Sequence, residues 1–208
     1  MVSASLELDF AQVKILSKYQ VKDKKMSILR EHTNAKHRAV EENPFVQLML
    51  TGEISKEQHI LFLKQFYVVY REIEYFAETL GLLHDLPGIK RKDGIAADLA
   101  ELGHNIPSLE EILPSTQCYR EHVMKLYYSG KGNQILAHVY VRHMGDLYGG
   151  KILAKKIPGQ GKCYQFEDRP ALIKALDAKL DMSILDEALL AFDMSEAIFN
   201  DMLEKLPE

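Results

Sequence analysis

The stretch RHMGDLYGG, Arg142–Gly150, decides how this chain folds. GNQILAHVYV precedes it and KILAKK follows, and both flanks carry the apolar spacing of a buried helix. A single helix over about 133–156 therefore contains Gly145, Gly149 and Gly150. Each interior glycine costs about 1 kcal/mol relative to alanine. Gly145 and Gly149 are four apart and share a face, with Gly150 beside them. Spacing leaves two readings open. Another helix packs closely on the glycines, or a flat ligand lies against bare backbone. Asp146 sits inside the weakened turn, where a carboxylate can hold ordered water.

Outward from this stretch the helical pattern covers nearly the whole chain. Ile28, Leu29, His32, Ala35 and Ala39 form one stripe of a helix over 24–42. Pro44 interrupts it, because the residue before a proline is pushed away from helical geometry. FVQLMLTG reads as a short helix closed by Gly52. SKEQ at 55–58 is a capping box that opens a long helix through Leu83. Its core candidates are Ile60, Leu61, Phe66, Tyr67, Tyr70, Ile73 and Phe76. Further helices are predicted over about 94–103, 116–129, 170–181 and 184–205, with PGQGKCYQFEDRP as a loop. Strand alternation and internal repeats are absent from the pattern. The prediction is one all-α domain over 24–208, preceded by a leader or extra helix over 1–23.

Composition narrows the function classes. Of the 208 residues 47% are hydrophobic and 27% charged, with a net charge of −4, as in an ordinary globular domain. That charge gives no reason to expect nucleic-acid binding. MVSASLELDF lacks the basic region of a secretory signal, and no apolar run approaches the roughly 18 residues of a membrane span. The expectation is a cytoplasmic protein with no membrane partner. Cys118 and Cys163 lie far apart and outside any C-x-x-C pattern, so neither a disulfide framework nor a thiolate metal site is expected.

Histidines come next. His32/His37 and His138/His143 are each five apart, about 140° around a helix, so neither pair chelates. Glu101 and His104 form a lone E-x-x-H beside Gly103 at a helix end. A cage of protein ligands alone is therefore not expected, and His59, His84 and His122 read as surface residues. His32 differs, because it lies on an apolar stripe. It is a core histidine bonded to a carbonyl, or the single axial ligand of a heme iron. Set beside the glycine-lined helix and Asp146, the second reading describes a sandwich for a planar macrocycle.

HVYVRHMGDLYGGKIL, starting at His138, closely resembles the distal-helix signature of the heme oxygenases, and REHTNA, Arg30–Ala35, resembles their proximal segment. The likeness runs in order from about Lys24 to Leu206. It implies a helical fold with heme between a proximal helix and a kinked distal helix. It implies His32 as axial ligand, Gly145 and Gly149 against the heme, and Asp146 as anchor of a distal proton-delivering water network with Tyr70 and Arg142. Lys25 and Tyr140 match groups near the heme propionates, and Lys174 and Lys179 are candidates for a second cation there. Phe192 and Phe199 match aromatics that close on the pocket.

The implied activity is cleavage of heme at the alpha-meso carbon to biliverdin, carbon monoxide and free iron. Heme is both substrate and cofactor, O2 the oxidant. No G-x-G-x-x-G follows a strand, so no flavin or nucleotide site is expected. Electrons then come from another protein, ferredoxin in soluble bacterial-type members; the basic run at 18–25 either helps to dock that donor or is a solvated leader. A bilin reductase is a possible downstream partner. Three departures from the family pattern stand out: Tyr148 in place of a small serine, His143-Met144 in place of Tyr-Leu, and Lys36 in place of an acidic residue near the axial histidine. They bear on meso-position selectivity and on the electronics of His32. A heme carrier, a thiaminase-like hydrolase using a cysteine, and a helical interaction module are the competing classes. Asp146 argues against the carrier, the setting of both cysteines against the hydrolase, and the glycines against the module.

Overall fold

A computed structural model describes residues 28–206. The leader 1–23, the basic run 18–25 and Lys25 lie outside the described residues. Eight α-helices, joined by short 3-10 turns, account for all the regular structure of the described residues: α1 Ile28–Glu42, α2 Pro44–Thr51, α3 Lys56–Thr79, α4 Lys92–Glu101, α5 Pro114–Tyr128, α6 Ile135–Leu153, α7 Arg169–Asp177 and α8 Leu185–Glu204. The expected all-α architecture is what the chain adopts.

Local chemistry explains the boundaries. Asn43 caps α2 by accepting from the Phe45 amide at 3.0 Å, and Pro44 takes the first helical position, where its missing N–H is harmless. The capping box at Ser55 is present in full. The Gln58 amide donates to Ser55 Oγ at 3.1 Å and the Ser55 amide to Gln58 Oε1 at 2.8 Å. α3 ends at Thr79, four residues before the expected Leu83. Gly81 there adopts φ 72°, and the Leu82 amide donates to the Ala77 carbonyl at 2.8 Å, closing the helix.

α3 runs through the middle of the bundle, packed against α4, α5, α6 and α8. Ile60, Phe66, Tyr70, Ile73 and Phe76 are buried as expected, while Leu61 and Tyr67 are only partly so. Gln65, inside this helix, clamps the connection before α5. It donates to the Glu111 carbonyl and accepts from the Leu113 amide, both at 2.9 Å.

The stripe expected on α1 is not a core face. Leu29 is buried, but Ile28, His32, Ala35 and Ala39 are exposed. α1 packs instead through Leu29, Thr33 and Val40, mainly along α8, and this leaves the strip bearing His32 uncovered. Spacing marked an apolar strip without distinguishing a packed one from an open one.

His59 and His122 also depart from expectation. His59 is fully buried, stacked 6.0 Å from the Phe62 ring, and neither of its ring nitrogens has a hydrogen-bond partner. Burial pushes its pKa down to about 4. In the unfolded chain it titrates near 6.5, so between those values the unfolded state binds the extra proton and falling pH favours unfolding. His59 alone should remove about 3 kcal/mol of stability between pH 6.5 and pH 4. Urea unfolding of His59→Leu should show a smaller loss over that window than the parent chain; an equal loss would contradict the assignment.

Candidate active site

The middle of α6 carries the chemistry. Asp146 is 8% exposed, and its Oδ2 accepts a hydrogen bond from the Tyr70 hydroxyl on α3. Arg142, one turn earlier, lays its guanidinium 4.2 Å from the Phe66 ring centre and 5.7 Å from that of Tyr70. Burial pushes the Asp146 carboxyl above the ordinary carboxylate range, against the pull of Arg142 and of the Tyr70 bond. Burial, together with the Asp146 charge, drives the Tyr70 hydroxyl well above its usual value, so it stays a donor. A small cavity with room for about one water opens beside Asp146 and Tyr70, lined further by Arg91, Cys163 and Tyr164.

His143 extends this cluster inward. It is fully buried, packs edge-on against Tyr70 at 5.1 Å, and places Nε2 3.2 Å from Glu74 Oε1 and Nδ1 3.2 Å from the Val139 carbonyl. The row Glu74, His143, Tyr70, Asp146 thus joins a second buried carboxylate to the first. The sequence reading marked His143 as a departure from pattern and gave it no role.

The loop before α7 holds the glycine turn from outside. Arg169 donates to the carbonyls of Asp146 at 3.1 Å and Leu147 at 2.9 Å, and also to that of Tyr164. Arg91 donates to the carbonyls of Cys163 at 2.9 Å and Gln165 at 2.8 Å, and Asp98 accepts from the amides of Lys162 at 2.7 Å and Cys163 at 2.9 Å. None of these three was a candidate from the sequence, since the bonds of Arg91 and Asp98 to this loop, and those of Arg169 to the glycine turn, cross more than 20 residues. The Cys163 thiol is buried and its pKa raised well above the usual value by burial and by Asp98. That disfavours it as a nucleophile, and Cys118 is exposed and outside this cluster, so neither thiol supports the hydrolase reading.

The three glycines do different work. A Cβ added at Gly150 would stand 2.7 Å from Cδ1 of Tyr164, so that glycine exists for packing. A Cβ at Gly145 or at Gly149 would meet nothing within 4 Å. Gly150 is thus a packing glycine, though its neighbour is Tyr164 of a 3-10 turn and not another helix, while Gly145 and Gly149 leave their backbone open. Gly150→Ala should destabilise the chain by about 1–3 kcal/mol through overpacking. Gly145→Ala should stabilise the heme-free chain by up to about 1 kcal/mol, because the helix gains propensity and nothing clashes. Thermal melts of both variants check the signs; destabilisation by Gly145→Ala would show that its face is packed.

α1 meets α6 on both sides of that open backbone. Thr33 and Tyr140 share a hydrogen bond between hydroxyls at 2.9 Å, and the Arg30 guanidinium lies 4.9 Å from the Tyr148 ring centre. His32 sits between those tethers on α1, as Gly145 does on α6. Tyr148 is half exposed and turned to Arg30, leaving the space over Gly145 and Gly149 clear. Lys36 pairs with Asp193 on α8, which balances its charge away from His32.

Other candidates land elsewhere. Lys179 is paired with Asp85 at 2.6 Å, so it is engaged in a structural ion pair, while Lys174 is exposed on α7. Phe192 packs edge-on against His37 at 6.1 Å. Phe199 stacks with Phe45, Phe62 and Phe66, which places it behind the distal cluster in the core rather than on the cleft. The reason is the register of α8, whose buried face carries Phe199 inward with Ile198 and Met202.

The family model described as heme oxygenase matches residues 24–172. The chain belongs to the heme oxygenase family. Its fold superposes on the crystal structure of heme oxygenase-1 from the cyanobacterium Synechocystis in complex with heme, with a TM-score of 0.75 and 26% identity over 86% of this chain and 92% of that one. Heme oxygenase from Leptospira interrogans is similarly related, with a TM-score of 0.73 and 29% identity over 83% and 97% of the two chains. Among curated relatives, heme oxygenase from Guillardia theta is 29% identical over 84% of each chain. Heme oxygenase 2 from Macaca fascicularis is 28% identical over 84% of this chain but only 64% of its own length. The chain thus spans less than two thirds of that mammalian relative. In this heme oxygenase family member no helix among the described residues is long and apolar enough to cross a membrane.

Proposed function

We propose that this chain is a heme-degrading oxygenase that binds heme between α1 and α6 and opens the macrocycle at the alpha-meso carbon. Biliverdin, carbon monoxide and free iron are the products, O2 the oxidant, and a separate protein of the ferredoxin class the electron donor. The observation that carries this reading is the bare backbone at Gly145 and Gly149, open on its outer side and backed on its inner side by the Tyr70–Asp146 pair.

The residues present fit heme. The cleft offers one exposed imidazole, His32, a surface that any side chain at Gly145 or Gly149 would fill, and a cation, Arg30, at its edge. When bound, heme supplies the iron at which O2 is reduced. The protein's part follows from its own groups. His32 ligates as a neutral imidazole, a milder donor than a thiolate. The glycine backbone sets the depth of the distal space and limits which edge of the macrocycle the oxidant reaches. Asp146 Oδ2 accepts from Tyr70, which leaves Oδ1 to order water, and a pKa raised by burial makes it a better proton carrier than an ordinary exposed carboxylate. Arg142 stands as a buried counter-charge beside it. Arg30 and Tyr140, with Lys174 and with Lys25 outside the described residues, are the groups for the propionates.

The test is optical. Hemin is added to the purified chain with ferredoxin, its reductase and NADPH. A Soret band that forms and then decays into biliverdin absorption is the expected result. A stable Soret band would leave a heme carrier, and no Soret band would overturn heme binding itself.

A further inference from the structure

Three side chains from three helices converge away from the Tyr70–Arg142–Asp146 cluster. His122 on α5 and His138 on α6 both direct Nε2 at the same carboxylate oxygen, Oε1 of Glu187 on α8, at 2.5 Å and 3.0 Å. All three ligand atoms lie within 4.8 Å of one another. His138 is fully buried, and His122 and Glu187 are 23% and 12% exposed at the side chain. We propose that these residues form a binding site for a divalent first-row transition metal, with zinc as the reference ion.

Proton placement makes the geometry telling. The Tyr119 hydroxyl lies 2.8 Å from His138 Nδ1, placed to accept from Nδ1–H. With the proton there, His138 Nε2 is a bare lone pair. A lone pair facing a carboxylate at 3.0 Å needs a cation between them, a proton or a metal. Neutral imidazole and ionised carboxylate are the forms that metals bind.

The set also matches metal chemistry in kind. Two imidazoles and one carboxylate are a common ligand trio, and an outer hydrogen bond donated by the second ring nitrogen, here to the Tyr119 oxygen, is the usual means of orienting a ligating histidine. Tetrahedral zinc at about 2.0–2.1 Å from each donor needs edges of roughly 3.3 Å, so the His122–Glu187 contact must open by less than 1 Å. His122 shifts its remaining proton to Nδ1. Water takes the fourth position at the partly exposed rim. The ion would tie α5, α6 and α8 together. Within-helix spacing could not have revealed the site, because no two of its ligands share a helix.

The test uses the full, tag-free chain without heme. Zinc is titrated against a chromogenic chelator and in parallel by calorimetry. One equivalent should bind, and a hundredfold excess over Kd should raise Tm by roughly 5 °C. Glu187→Gln, which keeps shape and loses charge, should weaken that binding by about tenfold or more. His122→Ala at the rim should do the same and guards against misfolding of the first variant. His84→Ala, a surface control, should leave it unchanged. Absence of a stoichiometric site, or affinity indifferent to both substitutions, would overturn the proposal and leave a hydrogen-bonded triad.

Discussion

Asp146→Ala should still bind heme but form biliverdin at least about 100-fold more slowly than the parent chain. The argument rests on where Asp146 is and on what it touches. It lies on the inner side of the glycine turn, so its removal leaves the outer surface at Gly145 and Gly149 intact. It is the acceptor for Tyr70 and lies beside the small cavity with room for water. Without the carboxylate, Tyr70 has no fixed acceptor and the water no anchor, so proton delivery loses its order. Asp146→Asn keeps the acceptor for Tyr70 but cannot carry a proton, and it should fall nearly as far. Because burial raises the Asp146 pKa, the acid limb of the parent rate profile should lie above the ordinary carboxylate range, and Asn should abolish that limb. Single-turnover spectroscopy with pre-loaded hemin checks both variants. Full turnover in Asp146→Asn would show that the proton path runs elsewhere.

His32→Ala should abolish the spectrum of histidine-ligated heme and, with it, biliverdin formation. His32 is exposed and α1 packs through Leu29 and Thr33, so the substitution should change stability by no more than about 0.5 kcal/mol. Loss of the spectrum therefore reports ligation and not unfolding. Added imidazole should restore the ligated band, since alanine leaves room for it. Hemin spectra and a melt of the same sample check this together, and an unchanged spectrum would assign the iron to another histidine.

The contrast among the three glycines shows what was readable in advance and what was not. Their presence in one helix and the face they share follow from spacing. The reason for each depends on a partner that spacing cannot see. Tyr164, which demands a glycine at 150, arrives by way of a loop whose order comes from Arg91, Asp98 and Arg169. Two helix starts were legible because Pro44 and Ser55 act on their immediate neighbours. The ends were less so, as with α3, which Gly81 stops early. Asp146 stood out by its place in the glycine turn, Tyr70 and Arg142 followed from the family resemblance, and the structure brings the three together. His143, tied to Glu74 on α3, belongs to the same cluster yet was noticed only as an oddity. Lys179 and Phe199 were carried over by position, and their actual partners, Asp85 and the phenylalanine stack, come from elements remote in sequence. His59 was read as a surface residue, although the helix turns it into the core.

The central claim is that heme occupies the space between His32 on α1 and the open backbone of α6. A crystal structure of the hemin complex tests it most directly. The account predicts iron bonded to Nε2 of His32, with the macrocycle lying against Gly145 and Gly149 and its propionates toward Arg30 and Tyr140. Iron held by any other histidine, or a macrocycle bound away from the glycine turn, would contradict it.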